Sequence, residues 1–162
     1  MNIKSNDWKD TAELIGIAAI VLGLVLVAYE LRQNTQMMRA QTRDSLTEKQ
    51  MTFSGWVGTS EYAATVLLRG TEGQLKPGTP EYYSYGFLLH GIFREWENSF
   101  YQYEQGLFDE SEFEPRRNRW RVNMTLPGYR DYWAGGSATF APGFKAEIDA
   151  IVAEIDAEAV SK

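Results

Sequence analysis

The sequence predicts an all-α protein: a single N-terminal transmembrane helix that continues into a polar neck, then a small helical bundle domain. Three observations predict it. Residues 14–29, LIGIAAIVLGLVLVAY, form an apolar run without a charge. Residues 81–105 repeat aromatic and aliphatic side chains at spacings of three and four. No credible pair of strands occurs in the 162 residues.

Sixteen helical residues rise about 24 Å, short of a hydrocarbon core of roughly 30 Å. Trp8 and Tyr29 supply the difference, because both residue types favour the headgroup level. Ten of the sixteen residues are Ile, Leu or Val, worth about −3 to −6 kcal/mol of insertion free energy together. Glu13 opposes insertion and is expected near one interface. A cleaved signal fits less well, since Lys4 and Lys9 are offset by Asp7, Asp10 and Glu13, and no Ala-x-Ala-like site follows. A soluble core helix would normally keep a polar face, and this run has none. The expectation is a span over about residues 12–29 within an anchor of residues 1–30.

Within the span, Ala12, Gly16, Ala19 and Gly23 recur at spacings of four, three and four, which sets them on one helical stripe. Small residues let a second helix approach closely in lipid, so this stripe is the expected helix–helix interface. Four basic residues follow the span (Arg32, Arg39, Arg43, Lys49) and two precede it (Lys4, Lys9). That bias predicts a single-pass inner-membrane protein with its C-terminal domain in the cytoplasm.

Residues 31–70 form the expected helical neck. The stretch from Glu30 to Phe53 has no Gly or Pro, so the membrane helix is expected to continue outward. Leu31, Met38, Leu46 and Phe53 hint at a seam too irregular for a coiled coil. A further helix is expected over 56–69, ending at Gly70. Residues 71–80, rich in Gly and Pro, are the expected connector to a helical domain at 81–162. There Tyr82, Tyr85, Leu89, Phe93, Trp96, Phe100 and Tyr103 form one stripe along a helix closed by Gly106. Asp109 is expected to cap the next helix, with Pro115 in its first turn or kinking it. A short helix starts near Pro127, and a terminal one presents Phe144, Ile148, Ile151 and Ile155 on one face.

Two segments, FREWENSFYQYEQGLFDESEF and PGYRDYWAGGSATFAPGFKAEID, resemble a group of small bacterial proteins with no assigned function. The resemblance rests on Arg94-Glu95-Trp96-Glu97-Asn98, Gly106-Leu107-Phe108-Asp109, Pro127-Gly128-Tyr129-Arg130 and Phe140-x-Pro142-x-Phe144, and covers most of residues 80–152. It implies one N-terminal membrane helix and a helical C-terminal domain, and no activity, cofactor or catalytic residue.

The chemistry-bearing residues are few. There is no cysteine, which excludes disulfides, thiolate metal sites and cysteine nucleophiles. His90 is the only histidine, and no Glu-x-x-His pair of a di-metal bundle includes it. His90, Arg94, Glu97 and Tyr101 form a second helical stripe. They are expected as a polar cluster inside the bundle, either a hydrogen-bonded packing network or a ligand or acid/base site. No phosphate-binding glycine loop or nucleophile elbow is present, and no cofactor is expected. The one basic block, RRNRWR, offers Arg116, Arg117, Arg119 and Arg121 for membrane-surface contact or for pairing with preceding acids. The net charge is −6, and all of that excess lies beyond residue 50, which argues against a nucleic-acid partner.

The expected function is therefore a membrane-anchored, non-catalytic interaction or adaptor protein. Its partners would be membrane lipid and either further copies of itself or a larger membrane complex. The alternatives are an oligomeric pore, against which the lack of polar residues in the run counts, and an enzyme or ligand-binding module built on the His90 cluster.

Overall fold

The computed structural model describes residues 7–160, Asp7 by its backbone alone. Those residues are all-α: α1 (Asp7–Thr59), α2 (Glu61–Thr71), α3 (Pro80–Glu104), α4 (Glu110–Asn123), α5 (Pro127–Gly136) and α6 (Pro142–Val160), with one 3-10 turn at Ser137–Thr139. The chain divides into two compact units, the boundary falling after Gln41. Lys4, one of the two basic residues counted before the span, lies outside the described residues.

The first unit is helix alone. Every residue from Trp8 to Gln41 is exposed, and the segment is long and apolar enough to cross a membrane.

The second unit begins with the last part of α1, which packs through Leu46, 1% exposed. Arg43 pairs with Glu112, and Gln50 donates to Glu95 Oε1 over 3.0 Å. The seam read from the sequence is therefore divided: Leu46 is buried and Phe53 half-buried in this unit, while Leu31 and Met38 remain exposed. The helix expected over 56–69 is two helices. Ser60 is extended at φ −120° and its hydroxyl accepts from the Ala63 amide at 3.2 Å, so it ends α1 and caps α2.

Local chemistry fixes the other ends. Thr79 caps α3 with Pro80 at the first helical position, where a missing N–H loses nothing. Gly106, at φ +69°, closes α3: its amide reaches Tyr103 O at 2.8 Å and the Leu107 amide reaches Gln102 O at 3.0 Å. Asp109 accepts from the Glu112 amide and caps α4. Pro115 lies beyond the first turn, inside α4.

Phe93 on α3 is the centre of the core. Its ring lies 4.7 Å from Trp96, 5.4 Å from Tyr132, 5.1 Å from Trp133 and 5.9 Å from Phe140, centroid to centroid. Phe144, Ile148 and Ile151 bring α6 onto the same cluster. The predicted aromatic stripe is buried or half-buried from Tyr85 onward, whereas Tyr82 stands 41% exposed at the start of α3. Two glycines set the closest approach. A Cβ on Gly128 would overlap the Gly70 carbonyl oxygen, and one on Gly70 would overlap the Tyr85 ring. The backbones of α2 and α5 thus meet with Tyr85 wedged beside them. The Tyr85 hydroxyl is buried there without a hydrogen bond. Burial pushes its pKa up.

Candidate functional site

The aromatic stripe takes the inward face of α3, so the neighbouring stripe of His90, Arg94, Glu97 and Tyr101 is turned toward the rim of the domain. His90, Arg94 and Tyr101 are exposed and Glu97 is half-buried. The expected cluster inside the bundle is therefore a cluster at its surface.

Three of the four residues are joined. Arg94 donates from Nη1 to Glu97 Oε2 at 2.6 Å, from Nη2 to the Thr139 carbonyl at 3.1 Å and from Nε to His90 Nε2 at 3.5 Å. Its guanidinium also lies 4.8 Å from the centre of the Phe140 ring, a cation–π distance. Glu97 turns its other oxygen to the Ala141 amide at 2.7 Å, just before α6 begins. With Nε2 accepting from Arg94, the His90 Nδ1–H donates to the Tyr132 hydroxyl oxygen at 3.0 Å. Burial raises the Tyr132 pKa, with Arg94 pulling it back. Tyr101 is one turn farther along α3, outside these bonds.

Taken together, these bonds bind α3 to α5 and to the segment entering α6. Each nitrogen of the Arg94 guanidinium and each Glu97 oxygen already has a partner. Such an arrangement sets the start of α6 and holds Arg94 and Glu97 in place. Beside it, α3 and the start of α6 border an open cleft of about 310 Å³, walled by Phe100, Tyr101 and Phe144.

The basic block is drawn largely into ion pairs within the domain. Arg117 donates from Nε to Glu147 at 2.6 Å and from Nη2 to Glu154 at 2.8 Å. Its pKa is held above the usual arginine range, chiefly by Glu154. Arg116 stands 3.5 Å from Glu95 and 5.1 Å from the Phe108 ring centre, and Arg121 pairs with Glu158. Arg119 is exposed, with no ion pair among the described residues. As a membrane-facing surface the block thus offers one uncommitted arginine where the sequence suggested four.

Ala12, Gly16, Ala19 and Gly23 are all exposed on α1. A Cβ placed on Gly16 or Gly23 would meet nothing within 4 Å.

In comparisons with protein-family models, curated proteins and solved structures, nothing matches this chain.

Sequence reasoning missed Tyr132, the Thr139 carbonyl, Phe140 and the Ala141 amide as members of the surface cluster. Tyr132, the Thr139 carbonyl and the Ala141 amide are 42 to 45 residues away from their α3 hydrogen-bonding partners, and Phe140 meets Arg94 through its ring from about as far along the chain. Helical spacing reports only neighbours on the same helix, so it carries no signal for them.

Proposed function

We propose that the protein is a membrane-anchored, non-catalytic interaction protein, held in the bilayer by α1 and assembled through it, with the helical domain as its adaptor or sensor part. One observation carries the reading: residues 14–29 are exposed on every side, among the described residues, in a helix of spanning length. The ten Ile, Leu and Val side chains of that run favour lipid over water, by about 3–6 kcal/mol together on the insertion scale. Lipid covers such a surface, and Trp8 and Tyr29 mark the headgroup levels.

The finer placement rests on the flanking charges. Four basic residues after the span against two before it favour the inner membrane with the domain in the cytoplasm. The chain has no cysteine, so a Ser54→Cys variant carries a single thiol, on an exposed residue. In intact cells an impermeant maleimide is expected to label it only after permeabilisation. Labelling without permeabilisation reverses the orientation.

Assembly is assigned to the stripe Ala12–Gly16–Ala19–Gly23, whose glycines leave open surface for a second helix. Light scattering of the detergent-solubilised chain tests it. The wild type is expected to run above monomer mass, and Gly16→Leu and Gly23→Leu are expected to shift it toward the monomer. Monomer mass in all three defeats self-association; an oligomer unchanged in both variants moves the interface elsewhere.

A further inference from the structure

The cleft between α3 and the first turn of α6 has a charge balance that selects its ligand. Arg94 and Glu97, on one side, are spent on each other, on His90, on Thr139 and on the Ala141 amide. The uncommitted charge is Glu104, exposed and without a hydrogen bond or ion pair among the described residues, with the Asn98 amide in the same lining. The walls are aromatic: Phe100, Phe144 and Tyr101. Gly143 also lines the cleft, and a Cβ there would stand 3.5 Å from the Phe100 ring and 4.0 Å from a Glu104 oxygen, which places both side chains at the same spot.

We propose that this cleft, of about 310 Å³, binds a small organic cation carrying an alkylammonium group. The Glu104 carboxylate meets the charge, and the Phe100 and Tyr101 rings line the cleft beside the methyl or methylene groups. An ammonium group among aromatic rings beside one carboxylate gains both cation–π and ionic attraction. An anion meets the unpaired carboxylate and no free guanidinium. The volume is at the lower end of small-molecule sites, which fits a ligand of few heavy atoms.

Choline and its uncharged carbon isostere, 3,3-dimethylbutan-1-ol, test the proposal by ligand-observed NMR titration of the full chain in maltoside micelles. Choline is expected to bind, with the isostere weaker by roughly tenfold. Glu104→Gln is expected to weaken choline by a similar factor, while Glu48→Gln, on an exposed residue of α1 outside the cleft, leaves it unchanged. Glycerophosphocholine distinguishes the source of the ammonium group: equal or tighter binding than choline assigns the cleft to a lipid headgroup, weaker binding to a free ion. Equal affinity for choline and the isostere, unchanged choline binding in Glu104→Gln, or no binding of choline overturns the proposal. Because the comparison of choline with the isostere is made on the wild-type chain, it holds even if a variant misfolds.

Discussion

At the scale of single residues, glycines with the same helical backbone do opposite things. Gly128 and Gly91 both sit inside helices, where exchange for alanine ordinarily gains about 1 kcal/mol. At Gly91 a Cβ meets nothing within 4 Å, so Gly91→Ala is expected to raise stability by about 0.5–1 kcal/mol. At Gly128 the added carbon meets the Gly70 carbonyl oxygen and the Tyr85 hydroxyl. A carbonyl fixed in α2 cannot move aside cheaply, so Gly128→Ala is expected to lower stability by about 2–3 kcal/mol. Urea unfolding of the two variants followed by tryptophan fluorescence checks the pair. A Gly128→Ala chain as stable as wild type would mean that α2 and α5 do not meet in the way described.

At the scale of elements, α6 is fixed by an apolar face and by a row of carboxylates. Phe144, Ile148 and Ile151 enter the core. Asp149 accepts from Trp133 Nε1 at 2.9 Å and pairs with Lys145. Glu154 meets Arg117, and Asp156 meets Arg130 at 2.9 Å. Burial alone would push the Asp149 pKa up, but the Lys145 and Trp133 bonds outweigh it and hold it low. The Arg117 bond lowers Glu154, and the Arg130 bond lowers Asp156. A carboxylate lowered by folding contributes stability above its unfolded pKa, near 4, and loses it as pH falls through the folded value. The domain is therefore expected to hold a constant thermal midpoint from pH 7 to about 5 and to lose stability below about pH 4. Circular dichroism melts across that range check the sign; a midpoint that rises on acidification contradicts it.

The helices were legible from the sequence to different depths. Spacing of apolar residues marked α3 and α6, because their buried faces repeat at three and four. The break at Ser60 carries no such signal, since TSEYA lacks the Gly and Pro that usually mark one, and the start of α2 there depends on a single hydroxyl cap. Two arginine partnerships, Arg117–Glu147 and Arg130–Asp156, stayed hidden because 30 and 26 residues separate their members. The preceding acids that looked like partners of the RRNRWR block gave way to Glu147, Glu154 and Glu158 for two of its arginines. His90, Arg94 and Glu97 were visible as neighbours on one helix, whereas their role in holding the start of α6 depends on groups from α5 and beyond.

At the scale of the whole molecule, the two units differ in what covers their apolar surface. The domain has a buried core around Phe93 and leaves single apolar side chains such as Trp56, Leu68 and Phe87 exposed. The first unit has the most apolar stretch of the chain and buries none of it. That contrast is the basis for placing α1 in a bilayer. The most direct measurement is the fate of the full-length chain when isolated membranes are washed with alkaline carbonate, which strips peripheral proteins and leaves spanning ones. The chain is expected to stay in the membrane pellet, and to move to the supernatant when Val21 and Leu24 are both replaced by arginine. Release of the wild-type chain by carbonate would contradict the anchor, and with it the proposed function.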